Sequence, residues 1–336
     1  MKYLLIKGAA GLGNRMLGTA TGLLYAEITG RRPIVDWSDP RYSSDGSNVF
    51  GRYFVCPSAG SMEEISPTAS VAPAIWRGRL DDQVEPVRQA TPAGSGPASW
   101  AQSCVDLMRT DHPEDLLVMW SYRQRIEWLR PHLRGDHARF ARRSTGAILK
   151  HVMETSMPPR PEIADRVAAF RREHLGGPTV GVHARATDLR TRLDAIRGRL
   201  QRLLAKEDDL QVFLATDNAE VRDEFERAYG AVSAPHWYAE PGVALHYSPD
   251  SPDATEVGLE ALVDLYLLAG CDHLICDRRS SFSEAAMVLS DAPRSRITDV
   301  EVFKKSWPVP LRALWRYTVP GPATPLAVSA ARRWAR

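Results

Sequence analysis

The sequence predicts an α/β protein built on open parallel sheets, and three observations carry that prediction. The chain opens on an apolar run, a glycine-rich loop and a helical pattern, "YLLIKGAAGLGNRMLG", followed by a second short apolar run, "RPIVDW"; this is a β-loop-α-β unit. A further series of strand and helix patterns fills residues 179–291. The apolar runs are short, continuous and bounded by polar loops, as expected of strands buried on both faces of a parallel sheet.

Residues 3–6 read as the first strand, and the helix that follows runs from about Arg15 to Thr29, with Met16, Leu17, Ala20, Leu23, Leu24 and Ile28 on one side and Gly30 as its stop. The next strand ends in Asp36. Residues 38–99 are rich in Ser, Pro, Gly and Ala and read as loops with short elements. "EDLLVMWSY" (114–122) is a strand, and "RPEIADRVAAFRREHLG" (160–176) is a helix with Ile163, Val167 and Phe170 as its seam. Then come the strand "TVGVHARATD" (179–188), the strand "LQVFLATDN" (210–218) with Asp217 or Asn218 capping "AEVRDEFERAYG", the helix "TEVGLEALVDLYLLAG" (255–270), and a strand, loop and helix in "DHLICDRRSSFSEAAMVLSD" (272–291). Two βα-rich halves thus follow one another, joined near residues 150–165, with no internal repeat.

Composition narrows the function. At 336 residues, 44% hydrophobic and 25% charged, the chain affords a sizeable core. A net charge of +2 gives no global case for nucleic acid. The preference for arginine over lysine reads as the codon bias of a GC-rich, bacterial genome. Cys56, Cys104, Cys271 and Cys276 form no CxxC pair and no zinc spacing, so the expectation is a cytoplasmic protein with free thiols and no metal. The opening "MKYLLIKG" is too short for a signal peptide, and no apolar window is long enough for a membrane span. The basic, aromatic tail "LRALWRYTVP…SAARRWAR" reads as a segment packing back on the protein, with weak peripheral membrane contact as the lesser reading.

In open α/β sheets ligands sit beyond the carboxyl ends of the strands. Those ends deliver Gly8, Gly11, Gly13, Asn14 and Arg15; then Asp36; then His183, Arg185, Thr187 and Asp188; then Thr216, Asp217 and Asn218; and then Arg278, Arg279, Ser280 and Ser281. The loop "GLGNRM" has the first two glycines of a dinucleotide fingerprint but Met16 at the third, and Asp36 mimics the ribose-binding acid of such a site. A tight turn, a dinucleotide site and another phosphate or sugar site all remain open for it. In "HARATD", His183 and Arg185 alternate along a strand end and face the same way. One is a fixed cationic fork, which suits a diphosphate. Ser280 or Ser281 can cap the following helix, with Glu284 completing a capping box, and the same hydroxyls and N–H groups suit phosphate. Glu256, Glu260 and Asp264 form an acidic stripe, which taken alone reads as a solvated helix face.

Taken together, "GLGNRM…RRPIVDWSD", "GVHARATD", "FLATDN" and "LVDLYLLAGCDHLIC…SSFSEAA" resemble the GDP-fucose-dependent fucosyltransferase superfamily, which includes the rhizobial nodulation, animal α1,6- and protein O-fucosyltransferases. The matches cover residues 8–37 and 180–290, in the family's order; residues 40–150 show none. The resemblance implies a GT-B fold: two Rossmann-like domains facing across a cleft, residues 1–155 on the acceptor side and 156–305 binding the nucleotide sugar, with 306–336 as a tail. It implies inverting, metal-independent transfer from GDP-fucose to a hydroxyl of a glycan or small molecule, with no cofactor. His183 and Asp264 would contact guanine, Arg185 would hold the β-phosphate, Ser280, Ser281 and Phe282 would line the phosphate site, and Gly11, Gly13 and Asn14 would face the diphosphate–sugar. The implied catalytic set is Arg185, Asp188 and Asn14.

The pattern also departs from the family. Where the α1,6 branch has a second arginine, a lysine and a glutamate, this chain has Ala186, Leu189 and Leu193. The base that would activate the acceptor is therefore unassigned, with Asp188, Asp194 and Asp36 as candidates. Two competing readings follow: an NAD(P)-type oxidoreductase, resting on the first β-loop-α-β unit, and a non-catalytic nucleotide-sugar-binding relative, resting on the missing base.

Overall fold

The computed structural model describes residues 1–94, 96–186, 191–238 and 253–300. The elements are β1 Tyr3–Lys7, α1 Leu12–Thr29, β2 Arg32–Asp36, α2 Phe50–Tyr53, β3 Val71–Ala72, α3 Val84–Gln89, α4 Gly96–Ser103, β4 Leu116–Trp120, α5 Ile126–Leu129, α6 Ala138–Ala141, α7 Thr145–Ser156, α8 Pro161–His174, β5 Thr179–Ala184, α9 Leu193–Leu204, β6 Gln211–Thr216, α10 Ala219–Tyr229, α11 Ala254–Ala269, β7 His273–Cys276, α12 Ser281–Leu289 and β8 Ile297–Asp299, with short 3-10 turns between them.

The strands form two four-stranded sheets, ordered β2-β1-β4-β3 and β6-β5-β7-β8, and every pairing is parallel. Every residue of β4 and β5 is buried, as a sheet covered on both faces requires. In each sheet the chain first steps outward in one direction (β1 to β2, β5 to β6) and then returns to the other side of its starting strand. The loops after β1 and β5 therefore stand at the two points where strand order reverses, the place where open α/β sheets bind ligands.

Helix α1 begins three residues earlier than its apolar period suggests, at Leu12, and ends where Gly30, at φ 62°, turns its N–H back onto Ala26 O and Glu27 O. Asn218 caps α10 by accepting from Val221 N at 2.9 Å. Two short strands, β3 and β8, escape the sequence pattern because two or three residues carry no period. The Ser/Pro-rich stretch contains short helices and buried aromatics: Trp37 packs edge-on against Phe50, Tyr53 and Phe54.

One continuous apolar core joins β1, β4 and α1 to α7, α11 and α12. A second cluster fills the space between β5, β6, α9 and α10. Near the N-terminus of α11, Tyr53 Oη donates to Thr255 O at 2.8 Å, and Ser44 Oγ donates to Asp253 Oδ1 at 2.7 Å. The two sheets thus meet through α1, α7, α11 and α12. Among the described residues no helix is long and apolar enough to cross a membrane. The basic tail and Asp188 lie outside the described residues.

Candidate active site

A cavity opens between the two switch points, lined by residues of both halves. Gly11, Leu12, Gly13, Arg41 and Tyr42 come from the first; His183, Arg185, Asp217, His236, Glu260, Asp264, Ser281 and Phe282 are among those from the second.

The two helix N-termini that border it touch. A Cβ built on Gly13 would overlap the Ser281 backbone and lie 2.5 Å from Phe282 N. Gly13 is needed here for the close approach of two backbones. Two sets of N-terminal N–H groups, each carrying partial positive charge, therefore converge on one rim of the cavity.

Ser280 precedes α12 but its side chain makes no capping bond. The capping box expected with Glu284 is therefore not formed. Ser280 is buried, and its Oγ has no hydrogen-bond partner among the described residues. A buried hydroxyl at a helix start is costly to leave unpaired.

His183 and Arg185 leave the end of β5 on one face, as their alternation predicts. His183 is buried; its Nδ1 shares a 2.6 Å hydrogen bond with Ser283 Oγ, and its ring packs on Phe282 with centroids 4.9 Å apart. Burial, and then the Arg185 charge, push its pKa down to about 3, so the imidazole is neutral. Arg185 Nε lies 3.6 Å from Asp217 Oδ2. The strand end is braced: Ala186 N donates to Asp217 Oδ1 at 2.8 Å and Thr191 N donates to Arg185 O at 2.8 Å.

Asp264 is buried in the cavity wall, one turn beyond Glu260 on α11. The acidic stripe is therefore not a solvated face along its length: Glu256 pairs with Arg166 outside, while Glu260 and Asp264 turn inward. Among the described residues Asp264 Oδ1 has no hydrogen-bond partner, and Oδ2 lies 3.5 Å from His236 Nδ1. Burial and the neighbouring Glu260 raise the Asp264 pKa well above the usual carboxylate range. Burial also raises that of Glu260, against the hydrogen bond it accepts from Trp237 N.

The first half spends its charges differently. Lys7 Nζ pairs with Asp36 and donates to Leu80 O at 2.9 Å. Burial would raise the Asp36 pKa, but Lys7 and the Ser38 hydrogen bonds outweigh it and hold it low. Asp36 does not line the cavity, so it serves neither as a ribose acid nor as the base. Arg15 is buried, pairs with Asp39, donates from Nε to Ala10 O at 2.9 Å and stacks on Tyr42. The Ala10 it holds has φ 58°, a left-handed conformation that costs a residue with a Cβ.

Of the residues singled out in the sequence, the cavity gathers Gly11, Gly13, His183, Arg185, Thr216, Asp217, Glu260, Asp264, Ser281 and Phe282. It does not gather Asn14, which is half-buried on α1, or Ser280. Asp194 sits at the first turn of α9 beside Arg192 and is outside the cavity, so it is not placed to act as base. Sequence reasoning missed Arg41, Tyr42 and His236 as lining residues, and took Glu260 for part of a solvated face. His236 follows α10 in the irregular stretch "SAPHWY", where no period or spacing marks it.

No family model and no curated protein matches the sequence. Solved structures do. The fucosyltransferase NodZ from Bradyrhizobium superposes with a TM-score of 0.58 at 19% identity, over 86% of this chain and 93% of that one. NodZ α-1,6-fucosyltransferase soaked with GDP-fucose gives 0.57 at 21%, over 86% and 92%. Arabidopsis thaliana FUT1, in complex with GDP, gives 0.51 at 15%, over 88% and 72%. At these identities the likeness establishes the fold.

Proposed function

We propose that the chain is a GT-B glycosyltransferase that moves fucose from GDP-fucose, with inversion and without a metal, to a hydroxyl of a glycan or glycosylated small molecule. The observation that carries this reading is the cavity that joins His183, Arg185, Asp264 and Phe282 to the Gly11–Gly13 loop. Its fold is shared with structures whose names record GDP and GDP-fucose. In this reading residues 1–155 form the acceptor side and 156–305 the nucleotide-sugar side.

Neutral His183 and the Asp264 carboxylate face guanine, with Phe282 against the imidazole. As the bond between the sugar's anomeric carbon and the β-phosphate oxygen breaks, negative charge grows on GDP. Arg185 and the N–H groups at the start of α12 neutralise it, and Ser281 adds a donor. The Gly11–Gly13 backbone covers the opposite side, and Asn14 positions that loop. With Asp36 paired to Lys7 and Asp194 outside the cavity, Asp188 is the remaining candidate base.

The test is a donor panel of GDP-fucose, GDP-mannose, UDP-glucose and NAD⁺, read as binding heat and as released nucleotide with and without candidate acceptors. GDP-fucose should bind best and release GDP. Binding of NAD⁺ without GDP overturns the reading, and GDP-fucose bound but never consumed by water or any acceptor makes the chain a binding protein.

A further inference from the structure

We propose that His236 takes up the proton that Asp264 must shed to accept a guanine base, so that GDP binds without exchanging a proton with water. This rests on the nucleotide reading above and concerns a residue to which that reading gives no role.

Guanine offers neighbouring N–H donors on its pairing edge. Two acceptors on one group, a carboxylate, match them; a protonated carboxyl carries a donor of its own and does not. Asp264 is placed to receive them, buried in the cavity wall with Oδ1 unpartnered among the described residues. It lacks the protonation state, because burial and Glu260 favour the neutral acid. An isolated Asp264 would have to release its proton to solvent before guanine could bind.

His236 removes that need. Its Nδ1 lies 3.1 Å from Ala234 O and 3.5 Å from Asp264 Oδ2, and its Nε2 lies 3.0 Å from Thr216 O. Both ring nitrogens therefore face oxygen acceptors; burial holds the His236 pKa below its ordinary value in the ligand-free protein, and the contacts with Thr216 O and Ala234 O pull the other way. A neutral imidazole has one N–H and leaves one of those oxygens facing a lone pair; a doubly protonated ring satisfies both. The pair holds one proton in either arrangement. It sits on Asp264 Oδ2 while burial dominates, and it passes to His236 Nδ1 when guanine N–H groups take hold of the carboxylate. No proton is lost and no charge is created overall.

The surroundings fit this exchange. Glu260, one turn before Asp264 on α11, accepts from Trp237 N; Asp217, at the end of β6, is engaged by Ala186 N and Arg185. Arg222, on α10, lies over the Tyr238 ring, which packs on His236 at 4.2 Å between centroids. His183 and Arg185 line the same cavity. Among these groups His236 is the base whose ring nitrogen lies 3.5 Å from the Asp264 carboxyl.

The test is calorimetry of GDP binding between pH 6 and 7.5, in buffers of different ionisation enthalpy, for the native chain and His236→Gln. The nucleotide's own phosphate contributes equally to both, so the difference is read. The variant should release more protons per GDP than the native chain, and its affinity should fall more steeply on acidification. Equal proton counts and equal slopes overturn the proposal while leaving GDP binding intact. No GDP binding by the native chain overturns the nucleotide reading and the proposal with it. If His236→Gln does not fold, nitrogen NMR of the native chain decides: His236 should pass from singly to doubly protonated on saturation with GDP, and an unchanged ring overturns the proposal.

Discussion

At the strand ends of the first sheet, Lys7 pairs with Asp36, and Arg15 with Asp39. At those of the second, and on the helix beside them, Ser280 Oγ and Asp264 Oδ1 are buried with no partner among the described residues, and Arg185 lines the cavity. Both sheets reverse strand order beside their first strand, yet at the first Lys7 and Arg15 are paired with carboxylates while at the second Arg185 and Asp264 line an open space. Burying an unpartnered polar atom costs roughly 1–3 kcal/mol, and a protein sustains that cost where a ligand repays it.

Substitutions on the two walls should differ accordingly. Arg185→Ala should lower kcat by ~10²–10³, since it removes a cation from the developing diphosphate charge, and Arg185→Lys should restore only part of it; released GDP measures both. Asp264→Asn should weaken GDP by ~10–100-fold, the worth of hydrogen bonds to a charged acceptor, and should narrow the gap between GDP and UDP in calorimetry. Gly13→Ala should cost ~1–3 kcal/mol of stability by driving α1 from α12, read as a lower denaturant midpoint with unchanged slope. Neutral, buried His183 makes stability pH-dependent. Its contribution is complete above about pH 6.5 and is lost as pH falls toward 3, by up to ~1.4 kcal/mol per unit, because the unfolded chain takes up a proton that the folded one refuses; His183→Asn should flatten that slope in denaturation series. The smallest effect is expected at Asn14, which lies outside the cavity: Asn14→Ala should leave GDP affinity within about twofold and act on turnover. A large loss of GDP affinity there would erase the distinction between the walls.

Much of the fold was legible because buried parallel strands announce themselves: "LLVMW" is apolar without alternation, "TVGVHA" is short and bounded by polar loops, and glycines end the helices at Gly30 and Gly230. The strands β3 and β8 were not, because their length carries no period. In the site, the spacing of His183 and Arg185 put both on one wall, as read. Asp36 looked equally functional, since charge at a strand end says nothing of the lysine that faces it from the neighbouring strand. His236 and Arg41 were invisible because they reach the cavity from irregular segments, whose course depends on tertiary packing. Asp264 shows the limit from the other side: its stripe is periodic, but burial of one end is decided by what α11 packs against.

The contact between Gly13 and Ser281 also bears on how related sequences should be read. A glycine kept at position 13 among them would invite explanation by phosphate binding, since it stands in a glycine-rich loop at a helix start. The geometry gives a reason that needs no ligand: any side chain there strikes the backbone of another helix. Relatives that had lost catalysis but kept the fold should therefore still carry glycine at this position, while Arg185 and Asp264 drift. Retention at position 13 records architecture, and only loss at positions 185 and 264 would record a change of trade.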